Sequence, residues 1–376
     1  MDATSNTSPP MDDNDLSHWL ALLHCPGIGP SRFFDLTQRY GSPRAVFEYG
    51  AKELNSASLP TKTLAWLRNP DWSVIEKDLA WLDAQDSHHI IPQTAPEYPP
   101  ILKETSNPPP LLYVNGDPEV LRMPQLGIVG SRNPSAGGKE NAVSFAKSLS
   151  ESGLIITSGM ALGIDSAAHA GALEGSGLTI AVTGTGLDRV YPARNRKLAH
   201  SIAEQGALVS ELPIGTPPLA DHFPRRNRII SGLCLGTLIV EAALRSGSLI
   251  SARLAGEQGR EVFAIPGSIH NPLARGCHAL IRQGAKLVES VEDILTELGP
   301  LIQLRQIESK AHTPSTKPAD PKQQTVLENM AHDPVSIDTL VERCHLTTEE
   351  VSSILLVLEL QGMVCSAAGG LYSRVS

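Results

Sequence analysis

The sequence lacks the features that mark a metal site, a disulfide framework or a membrane segment. Its five cysteines are scattered over 376 residues without a Cys-x-x-Cys pair, and its 12 histidines show no His-x-x-x-His spacing. This usage is typical of a reducing compartment and predicts no structural metal. No leader of the signal-peptide type is visible, and no apolar stretch approaches the roughly 20 residues that a bilayer-spanning helix needs. We therefore expect a cytoplasmic protein with no metal, no cofactor and no membrane contact.

An excess of positive charge is also absent. The formal net charge is −9, which by itself argues against a nucleic-acid partner. The charge is unevenly distributed, because residues 128–295 carry 16 Lys and Arg against 14 Asp and Glu, whereas the rest of the chain carries 15 against 26. A locally basic block in an acidic protein favours a focused anion groove over a non-specific polycation.

The length of the chain exceeds what one hydrophobic core usually serves, so we expect several domains. Residues 1–13 are small and polar and predict a disordered tail. Residues 14–90 have helical spacing and predict an N-terminal helical domain. Within it, Gly27-Ile28-Gly29 separates two helices as in a helix-hairpin-helix or SAM-like domain, where the turn either meets DNA phosphates or only connects the helices. The proline-rich residues 98–110 predict a stiff extended bridge.

Residues 96–300 alternate apolar runs with helical stretches, which predicts an α/β, Rossmann-like, doubly wound parallel sheet. The predicted strands are 126–129, 154–157, 179–183, 207–210, 237–240, 262–265 and 286–288. Residues 303–322 are predicted to be a linker. Residues 323–376 predict three helices and a hairpin, the pattern of a winged-helix domain. Its third helix carries Glu349 and Glu350 but no Lys or Arg, which favours a packing or partner-binding role over duplex reading.

One basic stretch before the predicted strand 237–240 concentrates groups that bind phosphate. It consists of Phe223, Pro224, Arg225, Arg226, Asn227 and Arg228. Guanidinium groups this close repel one another, and Asp221 is the only acid close by in the sequence, so we expect an external counter-charge. Phosphate fits the guanidinium fork, and the ring of Phe223 offers a face for a base. The alternative interpretation is a solvated helix start.

Two further turns follow predicted strands and carry cations. Gly130, Ser131 and Arg132 precede a helix, so that Arg132 and free backbone N–H groups point to an anion site. This turn matches neither Gly-x-Gly-x-x-Gly nor Gly-x-x-x-x-Gly-Lys-[Ser/Thr], so no dinucleotide or ATP-cradling loop is predicted. Arg194 and Lys197 belong to a second basic cluster, after the strand 179–183. The alternative is an ordinary strand-to-helix turn for the first of them and a solvated helix N-terminus for the second.

Two acidic residues are predicted to support the structure. Asp165 is expected to cap the helix after the strand 154–157, and an acid–base pair with His169, one turn further on, is the alternative. Glu241 ends the strand 237–240 and is expected to pin a loop by accepting N–H bonds, whereas a general acid or base is the alternative. We expect no catalytic residue in the chain.

Taken together, the ordered motifs resemble the DprA/Smf family of DNA-processing proteins. The matching stretches are 129–132, 158–165, 179–192, 223–232 and 240–267. The resemblance implies a Rossmann-like core that binds and protects single-stranded DNA. It also implies a homodimer and the loading of a RecA-type recombinase onto incoming strands during natural transformation. In the family pattern the strand is contacted by the residues that correspond to Arg132, Phe223, Arg226, Asn227 and Arg228.

Two positions depart from the family pattern. Ala193 stands where members often have a basic residue after Tyr-Pro, and Leu162 stands where they often have Lys or Arg. Arg194, Arg196 or Lys197 is then left to supply the missing charge.

Two other functions stay open at this point. The predicted sheet with Gly236, Thr237 and Glu241 also resembles nucleotide-processing phosphoribohydrolases, although the paired glycines of their turn are missing here. The second is a pure protein–protein adaptor, in which the arginine clusters would have no functional role. We favour a non-enzymatic protein that binds single-stranded DNA.

Overall fold

The computed structural model describes residues 13–54, 59–175, 177–312, 321–330, 335–344, 346–360, 364–367 and 371–374. Packing groups the chain into one compact unit up to Leu298 and another from Gly299. Residues 1–12 of the predicted tail lie outside the described residues, whereas Asp13 begins a helix. Gly369 and Gly370, the predicted turn of the wing, also lie outside them.

Six α-helices open the first unit. They are α1 (Asp13–Leu23), α2 (Pro30–Tyr40), α3 (Pro43–Ala45), α4 (Ala51–Glu53), α5 (Thr61–Arg68) and α6 (Trp72–Asp83), with a π-helical segment at Val46–Gly50. Local chemistry sets their starts: Pro30 stands in the first turn of α2, and the Asp71 carboxylate accepts the Ser73 N–H (3.1 Å) at the start of α6. Residues 24–29, which include the Gly-Ile-Gly turn, join α1 to α2.

A nine-stranded sheet forms the centre of the first unit. Its strands are β1 (His88–Pro92), β2 (Leu111–Gly116), β3 (Gln125–Val129), β4 (Ile155–Gly159), β5 (Thr179–Val182), β6 (Ala207–Ser210), β7 (Gly236–Ile239), β8 (Glu261–Ala264) and β9 (Lys286–Leu287). Their order across the sheet is β1-β2-β6-β5-β4-β3-β7-β8-β9, and β3 to β9 run parallel. The predicted doubly wound sheet is confirmed, with a strand at each of the seven predicted runs.

Helices cover both faces of this sheet. They are α7 (Pro100–Lys103), α8 (Ala136–Glu151), α9 (Ile164–Glu174), α10 (Arg196–Gln205), α11 (His222–Leu233), α12 (Ser248–Glu257) and α13 (Arg275–Arg282), with 3₁₀ turns at Pro118–Arg122 and Ala193–Asn195. Alternate residues of β5 point to opposite faces: Ile180 and Val182 belong to the same buried cluster as Ile229 of α11, whereas Ala181 belongs to that of Ile202 of α10. The sequences of such strands are continuously apolar because both faces of the sheet are buried.

The sequence interpretation missed β1 and β2. Both flank the proline-rich residues 98–110, which we predicted to be an extended bridge and which include the short helix α7. β2 pairs antiparallel with β6, and β1 pairs antiparallel with β2, so they extend the sheet at one edge. The division expected between residues 90 and 96 therefore overlaps the end of β1, inside the first unit. Buried residues of α1, α2, α5 and α6 share one hydrophobic cluster with β1, β2, β5 and β6.

The second unit is a small helical domain with its own sheet. It contains α15 (Pro321–Asn329), α16 (Ile337–Cys344) and α17 (Thr348–Leu360), with β10 (Val335–Ser336), β11 (Val364–Ala367) and β12 (Leu371–Arg374) in the order β10-β12-β11. Its core includes Leu340, Val351 and Leu355. The unit boundary lies within α14 (Val291–His312), so the predicted linker 303–322 begins as helix; residues 313–320 lie outside the described residues.

No helix in the described part of the chain is both long enough and apolar enough to cross a bilayer.

Candidate nucleic-acid interface

Three turns meet where the parallel strands end at their carboxyl termini. Ile164 N donates to Ser131 O (3.1 Å), which joins the turn after β4 to the turn after β3. Gly163 lies between them with φ +89°, a conformation that a side chain would strain. Asn195 Nδ2 donates to Met160 O (2.9 Å), which joins the turn after β5 to the turn after β4. Together with the start of α11, residues 130–135, 160–163, 183–197 and 222–228 form one region, here called the carboxyl-edge surface.

Arg132, Arg194 and Lys197 are the exposed cations of the carboxyl-edge surface that the sequence predicted. None of the three makes a hydrogen bond or an ion pair with any residue that the structure describes. Gly130 and Ser131, next to Arg132, are partly buried, and the Ser131 hydroxyl accepts the N–H of Asn133 (3.1 Å), which shapes the turn. Three exposed cations therefore lie near the strand ends without a direct ion pair, although the charge of Arg132 also acts on the buried Asp165 carboxyl.

Phe223 and Tyr191 form an aromatic pair on the same surface. Their ring centroids lie 5.5 Å apart with an interplanar angle of 38°. Phe223 is partly buried over Gly184, where an added Cβ would lie 2.9 Å from the ring. Tyr191 is 48% exposed. We predicted Phe223 but not Tyr191 as a site residue; the signal for Tyr191 was its place in the Tyr-Pro motif of the second basic cluster.

Arg226 faces inward, which corrects the expectation of an external counter-charge. Its side chain is 6% exposed and donates to the carbonyl of Val182 at the end of β5. The negative charge that acts on it comes from Asp165. Both groups fit beside Gly159, because a side chain there would collide with the guanidinium and the carboxylate.

Arg228 is also satisfied from inside the protein. Its guanidinium, 9% exposed, pairs with Glu211, which is 5% exposed and follows β6, and it donates to Asn107 O (2.8 Å). Arg225 reaches the same carboxylate at 3.2 Å. The argument from sequence neighbours was therefore wrong for this stretch, since the acids come from distant positions. Asn227, between the buried arginines, is partly buried.

Asp165 does not cap a helix, contrary to the prediction. The N-cap position of α9 is Gly163, and the Asp165 carboxylate instead accepts the N–H of Ala161 (3.3 Å). Burial raises the pKa of Asp165 to about 6, although Arg226 acts in the opposite direction. His169 does not pair with it: Nε2 lies 2.8 Å from Gly159 O and Nδ1 lies 2.7 Å from the Thr179 hydroxyl. Burial lowers the pKa of His169 to about 4, so the ring is neutral at pH 7.

Glu241 ties the start of α8 to the end of β7. Its carboxylate accepts the backbone N–H (2.8 Å) and the hydroxyl (2.6 Å) of Ser135, the N-cap residue of α8, and the amide of Asn271 (3.3 Å). Gly138 lies so close that a Cβ there would contact this carboxylate. These residues line a cleft of about 190 Å³ beside the switch in strand order between β3 and β7. A carboxylate of the protein itself therefore occupies the position at the N-terminus of α8 that would attract an anion.

No group of three His, Cys, Asp or Glu side chains suited to a metal ion occurs among the residues described here. The four cysteines found to be free, Cys25, Cys234, Cys277 and Cys344, are all buried.

Comparison with known families identifies both units of the chain. A family model described as DNA recombination-mediator protein A matches residues 89–299, and a model described as DprA winged helix domain matches residues 310–370. Protein Smf of Escherichia coli (strain K12) is 46% identical over 299 residues, which cover 79% of this chain and 80% of the relative. Protein Smf of Synechocystis sp. is 32% identical over 403 residues, which cover 97% of this chain and 100% of the relative.

Solved structures support the same relationship. The DNA processing protein A (DprA) of Streptococcus pneumoniae aligns with a TM-score of 0.63 and 36% identity, and covers 75% of this chain and 97% of its own. The DNA processing protein A of Helicobacter pylori, whose structure is described as giving insight into single-stranded DNA binding, aligns with a TM-score of 0.52 and 30% identity. That alignment covers 57% of this chain and 96% of the relative.

Proposed function

Because this chain belongs to the DNA recombination-mediator protein A (DprA/Smf) family, we propose that it binds single-stranded DNA on the carboxyl-edge surface. One observation carries the proposal: three exposed cations without an ion pair among the described residues, Arg132, Arg194 and Lys197, share the carboxyl-edge surface with the ring pair of the exposed Tyr191 and the partly buried Phe223. Cations that track phosphates and rings that stack on bases are the two parts of a sequence-tolerant single-strand site. The single-stranded DNA binding described for the Helicobacter pylori relative supports this proposal.

We assign different roles to the arginines and the lysine of the predicted site. Arg132, Arg194 and Lys197 serve as phosphate contacts because their charges are exposed. Arg226 and Arg228 act by holding the surface in shape, because their charges already face Asp165 and Glu211. A direct contact between the strand and Arg226, Asn227 or Arg228 stays a prediction from the family resemblance. Asp165 and Glu241 are assigned to structural support.

The expected preference for single-stranded over duplex DNA follows from the side chains that the carboxyl-edge surface presents. The carboxyl-edge surface presents charges and rings, whereas sequence readout of a duplex needs a helix with groove-reading side chains. α17, the third helix of the winged-helix unit, begins with Glu349 and Glu350 and carries no Lys or Arg. We therefore expect preference for single strands, little sequence preference, and a packing or partner-binding role for the winged-helix unit.

The biological setting is proposed from family membership. The protein acts in the cytoplasm as a homodimer, protects incoming single strands and loads a RecA-type recombinase onto them during natural transformation. It acts by binding and not by turnover. The position of Glu241 supports this last point, because its two carboxylate oxygens are bonded to Ser135 and Asn271.

The test compares equal lengths of single-stranded DNA and blunt duplex by fluorescence anisotropy at about 0.15 M salt. We expect tighter binding of the single strand, and equal or stronger duplex binding would contradict the proposal. Each phosphate contact on a single strand contributes about −0.7 to the slope of log K against log salt. Arg132→Gln should therefore weaken binding and flatten the slope by about 0.7.

Two further variants separate charge from stacking. Phe223→Leu should cost about 1–3 kcal/mol, the usual range for a lost base stack, and leave the salt slope nearly unchanged. Arg253→Ala is the matched control, because Arg253 is an exposed cation of α12 outside the carboxyl-edge surface. If Arg132→Gln and Arg253→Ala have the same effect, the strand does not pass Arg132.

A further inference from the structure

The turn after β5, residues 183–191 and here called the β5 turn, shares a hydrophobic cluster with the N-terminal helices. Its Leu187 is 9% exposed and belongs to the same buried cluster as Leu20 of α1 and Phe33 of α2. Val190 packs against this cluster as well. Strand binding on the carboxyl-edge surface gives the N-terminal helices no role of their own, although they belong to the same compact unit as the sheet.

A buried carboxylate of α6 also bonds the loop that follows β6. Asp78 is fully buried, and its Oδ1 accepts the backbone N–H of Ile214 (2.9 Å). Its other oxygen, Oδ2, lies 2.5 Å from Nε2 of His24, which follows α1. Burial raises the pKa of the Tyr113 phenol on β2, and the charge of Asp78 acts in the same direction. One carboxylate of α6 therefore meets groups from three other parts of the first unit.

The loop after β6, residues 211–216 and here called the supporting loop, is bonded in turn to the β5 turn. Gly186 N donates to Thr216 O (3.1 Å), and Gly215 N donates to Asp188 Oδ1 (2.8 Å). A Cβ added at Gly186 would lie 2.6 Å from a carbonyl oxygen of the supporting loop, so the two segments leave no room for a side chain between them. A displacement of the supporting loop therefore displaces the β5 turn.

We propose that the N-terminal helices hold the β5 turn in the conformation that binds a strand, and that Asp78 is the positioning residue of this contact. The inference rests on the proposed function and concerns a residue outside the carboxyl-edge surface. Asp78 fixes the supporting loop through Ile214, and the supporting loop fixes the β5 turn. The β5 turn carries Tyr191 and leads directly to Arg194 and Lys197.

The effect of Asp78 on binding is an effect on populations. Without an acceptor for the Ile214 N–H, the supporting loop is expected to leave this position for part of the time, because an unpaired buried donor is costly. The apparent dissociation constant then rises by the reciprocal of the fraction of molecules that keep the binding conformation. A bound strand still meets the same cations, so the slope of log K against log salt stays unchanged.

Two variants of Asp78 in the full-length protein test the proposal. Asp78→Ala removes the acceptor, whereas Asp78→Asn keeps a carbonyl oxygen for the Ile214 N–H and an amide that can donate to His24. Binding of an oligothymidine is measured by fluorescence anisotropy, below the thermal midpoint of every variant. We expect Asp78→Ala to lower the affinity about threefold to tenfold with an unchanged salt slope, and Asp78→Asn to stay within about twofold of the unsubstituted protein. Equal weakening by both variants would overturn the proposal.

Asp71→Ala is the matched control on the same helix. Asp71 caps the start of α6 by accepting the N–H of Ser73 (3.1 Å), so its loss destabilises α6 without removing the bond to the supporting loop. This variant should have a lower thermal midpoint and an unchanged affinity for oligothymidine. If Asp71→Ala weakens binding as much as Asp78→Ala does, general stability of the helices is responsible and Asp78 has no positioning role.

Amide hydrogen exchange without DNA gives a readout that does not depend on affinity. Peptides that cover residues 183–191 and 211–216 should exchange faster in Asp78→Ala than in the unsubstituted protein, whereas peptides of β3 and α8 should not change. Unchanged exchange in the β5 turn would overturn the proposal. A protein that binds no single strand would instead refute the proposed function, and the exchange would still decide whether Asp78 holds the β5 turn.

Ile214→Ala keeps the test available if Asp78→Ala does not fold. Ile214 is partly buried and packs against the cluster of the N-terminal helices, so the change loosens the supporting loop and leaves the buried carboxylate in place. We expect oligothymidine binding to weaken about threefold, again with an unchanged salt slope. A folded Ile214→Ala variant with unchanged affinity would overturn the proposal.

Discussion

Glu211 is the residue whose replacement tests most directly whether the arginine stretch is structural. Its carboxylate, 5% exposed, pairs with Arg228 and lies 3.2 Å from Arg225. In Glu211→Gln the negative charge disappears while the shape is kept, and the buried guanidinium of Arg228 loses its counter-charge. Removing one partner of a buried ion pair costs about 3–5 kcal/mol. For a unit that ends at Leu298, with an unfolding entropy of about 2.1 cal/mol/K per residue, the thermal midpoint should fall by roughly 5–8 °C.

The assay is thermal unfolding at neutral pH, followed by circular dichroism. Arg253→Ala is the matched control, because Arg253 and Glu257 form an ion pair of 3.6 Å whose side chains are 69% and 59% exposed. Such an exposed pair contributes about 0–1 kcal/mol. The double variant Glu211→Gln with Arg228→Gln removes both charges, so it should cost less than the sum of the two single changes.

Two outcomes would refute this reasoning. One is a midpoint for Glu211→Gln that falls no further than that of Arg253→Ala. The other is a double variant whose cost equals the sum of the single costs, because independent residues would then be involved. In either case the charge of Arg228 would need a partner from outside, as the sequence alone suggested, and its place among the phosphate contacts would be restored.

Two further predictions concern the buried histidine and the cleft. The pKa of His169 is lowered to about 4 from an ordinary value of 6.5. The neutral ring therefore stabilises the fold fully above pH 6.5, and this contribution is lost as pH falls toward 4. The cost of His169→Gln in urea unfolding should be about 2–3 kcal/mol smaller at pH 4.5 than at pH 7; equal costs would contradict a neutral ring. Incubation with nucleoside monophosphates should release no free base, and release that disappears in Glu241→Gln would revive the phosphoribohydrolase interpretation.

Much of the fold was predictable from the sequence because its determinants are local. β3 to β9 are parallel and mostly buried on both faces, so each reads as a short apolar run between turn signals. Turns after such strands lie at one edge of the sheet, and the sequence therefore predicted that Gly130, Arg132 and Arg194 lie on this edge; their role in binding stays a prediction. β1 and β2 were missed because their flanking prolines suggested an extended bridge, whereas their pairing with β6 depends on contacts far along the chain.

The sequence by itself determined the parallel strands β3 to β9, the turns that follow them and the cations on those turns, because periodicity and turn chemistry act over a few residues. Only the tertiary structure decided which arginines are free. Arg228 meets Glu211 from the segment after β6, and Arg226 faces Asp165 from α9, whereas Arg132 remains unpaired among the described residues. The electrostatic energy of a charged side chain depends on its distance from other charges and on its burial. The spacing of residues along the chain determines neither of these two quantities.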